Sequence, residues 1–217
     1  MQNFKWIKEV KAVGWDLDGT LYPHDCVQHD LLYDRQIRVV AKEKKLSFDS
    51  AEVEYAKVYD RLGSNTKTLN HFGIDGLKFF TSFWDEIDLE KYIRSDQRVV
   101  QLIKQLNNNF IQFIISNSNR RDQIEKKLKL IGFVESCFDL VVSTVELGSV
   151  KPDPKPFLVA LEKLQLKPEE VLFVGDRVTT DVMGAKGVGM KTCLVGKESK
   201  EADVSVKSVY DVGTLLV

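Results

Sequence analysis

The sequence has little of what marks a secreted or membrane-spanning protein. Its three cysteines, Cys26, Cys137 and Cys193, are odd in number and lack CxxC spacing, which is typical of reduced thiols rather than a disulfide framework. No apolar run approaches the roughly 18 residues of a membrane span. Residues 1–10 alternate charged and apolar side chains instead of forming the apolar centre of a signal peptide. These absences predict a cytoplasmic protein that does not bind membranes.

The chain also lacks an excess of charge of either sign. Its 31 lysines and arginines oppose 32 aspartates and glutamates, which gives a formal net charge of -1. Without a basic field the chain is not expected to bind nucleic acid, so we expect a small-molecule partner and a monomer or homodimer. Its 217 residues, 43% of them hydrophobic, suffice for one catalytic domain with a modest insertion.

Short apolar runs rich in β-branched residues alternate with stretches of helical periodicity. The runs are predicted to be buried strands, at residues 10–15, 110–115, 140–142, 171–174 and 192–195. Helices are predicted in the charged, periodic stretch that ends at Gly132 and at residues 156–164 and 180–186. This alternation predicts an α/β fold in which a parallel sheet is covered on both faces.

The segment between the first two predicted strands carries only helical signals. Residues 25–45 and 49–62 have helical periodicity, and Asp49 and Glu52 have the spacing of a capping box. A third helix is predicted at 76–86, where four aromatic residues share one face and are interpreted as core packing: Phe79, Phe80, Phe83 and Trp84. We therefore expect a helical domain at residues 22–94, inserted into a core formed by residues 1–21 and 95–217.

Two acids directly follow the first predicted strand, in the motif Asp16-Leu17-Asp18-Gly19-Thr20-Leu21. Side chains at i and i+2 of an extended segment project to the same side, and Gly19 allows close approach of the backbone. The motif therefore suits a site with one nucleophile and one acid/base.

Two further motifs have residue types that hold anions. Ser116-Asn117 ends the second predicted strand and opens a helix, where a hydroxyl and free backbone N–H groups are available. Lys151 opens the proline-rich stretch Lys151-Pro152-Asp153-Pro154-Lys155-Pro156, whose stiff backbone can hold a lysine near a phosphate. Lys151 is the expected inward lysine, and Lys155 is the alternative.

The fourth motif follows the strand predicted at 171–174. It reads Gly175-Asp176-Arg177-Val178-Thr179-Thr180-Asp181, with two acids between a strand end and a helix start. Such acids cap helices, but they also suit an oxygen-ligand Mg²⁺ site, and we favour the metal.

Taken in order, these motifs resemble the haloacid dehalogenase superfamily across nearly the whole chain. The resemblance implies a Rossmann-like core, and the helical insertion between the first and second motifs is similar to the C1 cap of that superfamily. Trp15 stands where the superfamily more usually has phenylalanine before the nucleophile. Tyr22, Pro23, His24 and the polar turn at 63–68 would face the core site when such a cap closes, so they are candidate specificity segments. Residues 21–23 and that turn are also similar to the pyrimidine 5'-nucleotidase-like branch.

The resemblance also implies a role for each motif. Asp16 would attack phosphorus to form an aspartyl-phosphate that water hydrolyses, and Asp18 would protonate the leaving oxygen and then activate the water. Mg²⁺ would be held by Asp16, the backbone carbonyl of Asp18, and Asp176, with Asp181 nearby or acting through water. Phosphate would be held by Ser116, Lys151 and backbone N–H groups near Gly19 and Asn117.

The expected reaction is Mg²⁺-dependent hydrolysis of a small phosphomonoester, with a nucleotide or sugar phosphate as the leading class. Dehalogenases of the superfamily use the first aspartate but lack the second as acid/base and need no metal, so Asp18 together with Asp176 favours phosphate. A phosphonatase would use a lysine of the cap, and the lysines of this insertion are interpreted as a solvated surface. The alternatives are a phosphomutase or other phosphotransferase, and a weakly active binding or regulatory module on the same fold.

Overall fold

A computed structural model of the protein describes residues 4–23, 31–117, 120–134 and 137–216. Of these residues, those up to Pro23 and from Ile93 onward form one compact unit, and those between them form a second. The assignment of the second unit as a cap domain stays a prediction.

The larger unit is built on six parallel strands. They are β1 (Ala12–Trp15), β2 (Ile111–Ser116), β3 (Leu140–Ser143), β4 (Val171–Gly175), β5 (Lys191–Val195) and β6 (Val204–Val206). The strands pair in the order β3-β2-β1-β4-β5-β6, which confirms the predicted α/β fold with a parallel sheet. β6 was not predicted because it is short and only half-buried and therefore lacks an apolar run.

The smaller unit is helical in its described part. Its helices are α1 (Tyr33–Lys44), α2 (Phe48–Leu62), α3 (Asn65–His71) and α4 (Gly76–Glu86), followed by a short 3₁₀ helix, Leu89–Lys91. The predicted capping box is wrong, because the hydroxyl of Ser47 caps α2 by accepting from the Ser50 N–H at 3.3 Å. The polar turn predicted at 63–68 is also wrong, because Ser64 caps α3 there.

The helices of the larger unit are α5 (Gln97–Leu106), α6 (Arg121–Ile131), α7 (Lys155–Leu164), α8 (Met183–Gly187) and α9 (Asp211–Leu216). A π-helical turn, Val178–Val182, precedes α8, and two 3₁₀ helices cover Lys5–Glu9 and Pro168–Glu170. As predicted, α6 ends at Gly132, whose φ of 111° satisfies the left-handed cap. Neither α5 nor α9 was predicted. None of the described helices has the length and apolar character needed to cross a bilayer.

Each unit has a core of its own. One face of the sheet packs against α7 through a cluster that includes Phe113, Phe157 and Phe173. The helical unit has a cluster of buried residues that includes Tyr55, and the partly buried Phe79 and Phe80 pack against this cluster. Phe83 and Trp84 are also buried, so the interpretation of the four aromatic residues as core packing is confirmed. The buried central strands hold their carboxyl ends in fixed positions.

Candidate active site

The strand register brings three of the predicted motifs together at the carboxyl ends of neighbouring strands. Trp15, the last residue of β1, lies beside Ile114 of β2 and Val174 of β4. The segments that follow these three strands are therefore neighbours, although they are far apart in sequence. Crevices at the carboxyl ends of parallel strands are the usual ligand sites of open α/β sheets.

Asp16 and Asp18 lie in a turn that follows the carboxyl end of β1 and is held by backbone hydrogen bonds. The backbone N–H of Asp16 continues the sheet by donating to the Val174 carbonyl at 2.9 Å. Gly19 has a φ of 96° and donates its N–H to the Tyr22 carbonyl at 3.0 Å. A side chain at position 19 would be strained in this left-handed conformation. The turn therefore holds both acids, which are 7% and 9% exposed, in defined positions.

A buried lysine links the first and fourth motifs. The Lys151 Nζ lies 2.6 Å from Asp16 Oδ1 and 2.8 Å from Asp181 Oδ1, and the lysine is only 1% exposed. Burial alone would lower the pKa of Lys151, but the carboxylates of Asp16 and Asp181 outweigh burial and raise this pKa overall. The inward lysine is therefore Lys151. Lys155 is exposed and donates to the Leu147 carbonyl at 2.7 Å.

Three carboxylates gather around this lysine. One oxygen from each of Asp16, Asp176 and Asp181 lies within 4.8 Å of the others. Burial and, more weakly, the neighbouring acids raise the pKa of Asp16 to about 8, against the opposing effect of Lys151. Burial and then Asp181 raise the pKa of Asp176 to about 6. An all-oxygen cluster of crowded acids has the donor set that suits a hard divalent cation, which would relieve their mutual repulsion.

The fourth motif depends on a glycine for its close packing. A Cβ at Gly175 would lie 2.6 Å from both Cγ and Oδ2 of Asp181. Asp181 in turn accepts the Arg177 N–H at 3.0 Å through Oδ2, which ties its carboxylate to the π-helical turn. Asp176 is less constrained, because its Oδ1 has no hydrogen-bond partner among the described residues. Such a buried oxygen is available to a ligand from outside the chain.

Asp18 stands apart from the three-acid cluster and has different partners. Its Oδ1 accepts from the Tyr22 hydroxyl and from Lys127 Nζ, the latter at 2.6 Å. Its Oδ2 accepts from the Ser116 hydroxyl at 3.4 Å. The predicted contact of Asp18 with a metal was through its backbone carbonyl and stays a prediction.

Lys127 was missed in the sequence analysis. It lies on α6 and is fully buried. The signal was present, since Ile124, Lys127, Leu128 and Ile131 have the i, i+3, i+4, i+7 spacing of a buried helix face. A lysine in such a row is unusual and indicates a specific partner.

The side chain of Asn117 has a structural role that the sequence motif did not indicate. Its side-chain Oδ1 accepts the Lys151 N–H at 2.9 Å, and its Nδ2 donates to the Lys151 carbonyl at 3.2 Å. The amide therefore holds the backbone of the site lysine, and the predicted phosphate contact of Asn117 through its backbone N–H stays a prediction. His24, a candidate specificity residue, lies outside the described residues.

Four acids and two buried lysines lie at the carboxyl ends of the strands of a parallel sheet. This arrangement defines a Rossmann-like α/β enzyme. A family model described as haloacid dehalogenase-like hydrolase matches residues 10–189. The chain therefore belongs to the haloacid dehalogenase-like hydrolase family, as the order of its motifs had indicated.

The chain is also similar to individual phosphatases and to a solved phosphatase structure. The chain is 28% identical over 216 residues to the glyceraldehyde 3-phosphate phosphatase of Methanopyrus kandleri, covering 94% of this chain and 91% of the relative. It is 33% identical over 107 residues to the pyrophosphatase PpaX of Halalkalibacterium halodurans, where it spans only 49% of either chain. A crystal structure of a HAD phosphatase from Thermococcus onnurineus superposes with a TM-score of 0.69, at 25% identity, over 95% of this chain and 98% of that one.

Proposed function

We propose that the protein is a Mg²⁺-dependent phosphatase that hydrolyses a small phosphomonoester through an aspartyl-phosphate on Asp16. The observation that carries this proposal is the convergence of Asp16, Asp176 and Asp181 within 4.8 Å, with Asp18 on the same turn as Asp16. Such a site has a nucleophile, an acid/base and a place for a cation, which together make up the machinery of phosphoryl transfer.

The two acids of the first motif divide the chemistry between them. An Asp16 carboxylate oxygen forms a bond to phosphorus as the bond to the ester oxygen breaks, and Asp18 gives that oxygen its proton. Water then attacks the phosphorus as Asp18 takes up a proton from it, and the Asp16–phosphorus bond breaks, which frees the Asp16 carboxylate and releases inorganic phosphate. Their different surroundings support this division, because Asp16 faces Lys151 whereas Asp18 faces Tyr22 and Lys127.

The groups around Asp16 support phosphate binding. Ser116 and Lys151, both buried at the site, would contact phosphate oxygens, together with backbone N–H groups near Gly19 and Asn117. The rigid support of Lys151 by the Asn117 amide would reduce the reorganisation needed when the phosphate arrives.

The acid cluster fits the magnesium ion that the family generally uses. Asp16, Asp176 and, directly or through water, Asp181 would hold it, with the Asp18 carbonyl as a further ligand. Bound there, Mg²⁺ would supply positive charge that balances the acids and the phosphate oxygens. Within the part of the chain that the structure describes, Oδ1 of Asp176 has no hydrogen-bond partner, which supports this assignment.

The surroundings of Asp18 favour phosphate over a carbon–halogen bond. Halide leaves without a proton and needs no acid, whereas an alkoxide leaving group needs one. A second buried acid with hydrogen-bonding partners of its own, among them Tyr22, Ser116 and Lys127, is therefore expected of a phosphatase.

The best-supported substrate class is a small sugar phosphate. Two relatives aligned over almost their whole length, from Methanopyrus kandleri and Pyrococcus furiosus, are named glyceraldehyde 3-phosphate phosphatases. The pyrophosphatase relatives align over about half of their length, so they carry less weight for the substrate. Nucleotides belong in the same test, because residues 21–23 and the segment 63–68 are similar to the pyrimidine 5'-nucleotidase-like branch.

The proposal is tested by phosphate release from triose and hexose phosphates, nucleotides, pyrophosphate and p-nitrophenyl phosphate, each with Mg²⁺ or with EDTA. The wild type with Mg²⁺ is expected to release phosphate, and Asp16→Asn is expected to lose at least about 10³-fold in kcat, because the aspartyl-phosphate cannot form. Asp60→Asn is the matched control, since Asp60 is exposed on α2. Release that survives EDTA or Asp16→Asn contradicts the mechanism.

A further inference from the structure

Lys127 makes a buried ion pair with the proposed acid/base. Its Nζ lies 2.6 Å from Asp18 Oδ1, and its side chain is fully buried. The Tyr22 hydroxyl donates to the same carboxylate oxygen from the other end of the turn. Two donors on separate segments, α6 and the turn after β1, therefore converge on one oxygen of Asp18.

The burial of Lys127 calls for an explanation beyond packing. Its neighbours along the buried face of α6 are Ile124, Leu128 and Ile131. Desolvation disfavours its charged form and lowers the pKa of Lys127, whereas Asp18 favours the charge. A buried ion pair is weak evidence for stability, because apolar residues of similar volume often stabilise a fold equally well. An apolar residue at position 127 would suit the buried face of α6, but it would leave Asp18 without the hydrogen-bond donor that Lys127 provides.

The second oxygen of Asp18 lies on the side of the phosphate site. Asp18 Oδ2 is 3.4 Å from the hydroxyl of Ser116, the proposed phosphate ligand at the end of β2. A carboxylate held at Oδ1 by two donors cannot rotate freely about its Cβ–Cγ bond without losing both contacts. Oδ2 therefore keeps its direction through the reaction.

We propose that Lys127 is a positioning residue that, with Tyr22, holds Asp18 by Oδ1 so that Oδ2 is the oxygen that exchanges protons. The inference rests on the proposed function, in which Asp18 is the acid and then the base. In the first step the proton on Oδ2 passes to the ester oxygen as its bond to phosphorus breaks and the Asp16–phosphorus bond forms. In the second step Oδ2 takes a proton from water as the water–phosphorus bond forms and the Asp16–phosphorus bond breaks.

The test compares leaving groups that need a proton with one that does not. The value of kcat/KM reports the step in which the ester bond breaks, and p-nitrophenolate leaves without protonation. Lys127→Met is expected to lower kcat/KM about 100-fold for the most active sugar phosphate of the panel and less than about threefold for p-nitrophenyl phosphate. Lys126→Met, the same change at an exposed neighbour on α6, is the control and is expected to match the wild type.

Equal losses for both substrates would mean that Lys127 serves only the fold, and an unchanged kcat/KM for the sugar phosphate would also overturn the proposal. If Lys127→Met does not fold, Tyr22→Phe, which removes the other donor to Oδ1, takes its place. It is expected to lower kcat/KM for the sugar phosphate more than for p-nitrophenyl phosphate, and the absence of that difference overturns the two-donor arrangement.

Failure of the proposed function gives a different result. In that case the wild type itself releases no phosphate with Mg²⁺, or Asp18→Asn lowers kcat/KM equally for both substrates. If Asp18→Asn shows the leaving-group difference and Lys127→Met does not, the acid role of Asp18 stands and the role of Lys127 falls.

Discussion

Asp176→Asn is expected to stabilise the metal-free protein while it removes the response to Mg²⁺. Asp176 is half-buried beside two other acids, and its Oδ1 has no hydrogen-bond partner among the described residues. Asparagine keeps the shape of the side chain and removes its charge. Residues arranged for a ligand commonly lower the stability of the unliganded fold, and this substitution would measure that cost.

The magnitude follows from the pKa of Asp176, which burial and Asp181 raise from 3.8 to about 6. A raised folded-state pKa means that the folded protein binds the proton more tightly, so stability is lost as the pH rises from about 4 through 6. One pKa unit corresponds to about 1.4 kcal/mol, so the ionised carboxylate costs up to about 3 kcal/mol at pH 7. We expect Asp176→Asn to recover about 1–3 kcal/mol there, and almost nothing near pH 4.

The assay is thermal unfolding in EDTA at pH 4, 5, 6 and 7, repeated at pH 7 with Mg²⁺. A gain of this size raises the melting temperature by roughly 3–9 °C for a chain of this length. The wild type should gain about 1–3 kcal/mol from Mg²⁺ at 10 to 100 times its dissociation constant, and the variant should gain much less. A melting temperature in EDTA at pH 7 that is unchanged or lower, relative to the exposed Asp60→Asn control, would refute the repulsion argument.

Two further substitutions test the packing that supports the site. Gly175→Ala places a methyl group 2.6 Å from the Asp181 carboxylate and should lower Mg²⁺-dependent kcat/KM about 100-fold by displacing that acid. Gly187→Ala is its control in the same phosphate assay, because a Cβ added there would have no described neighbour within 4 Å outside its own stretch of helix. Gln112→Leu should lower the free energy of unfolding by about 2–4 kcal/mol, because the Gln112 side chain bonds Trp15 Nε1 at 2.9 Å and the Ile103 carbonyl at 2.7 Å. Urea denaturation of this variant beside the exposed Gln101→Leu checks the loss, and equal stability would contradict it.

The parts of the fold that could be predicted are those with a strong local pattern. Buried parallel strands appear as short apolar runs, and α6 carries its own stop signal at Gly132. Elements with weak local patterns were not predicted. β6 is half-buried, and α3 is a short polar helix that begins in a segment resembling a turn. The N-cap of α2 was misplaced because Ser47 and Asp49 both have capping side chains, and only backbone geometry selects between them.

The sequence by itself determined that acids and anion-binding groups would follow strand ends, because each motif is written in consecutive residues. Only the tertiary structure decided which of these groups meet. The neighbouring positions of β1 and β4 in the sheet are a long-range property that brings Asp16 near Asp181, and Lys151, from the segment between β3 and α7, contacts both acids. Periodicity could predict that Lys127 lies on the buried face of α6, but it could not predict its contact with an oxygen of Asp18. Helical spacing defines a face of the helix and does not identify the residues that pack against it.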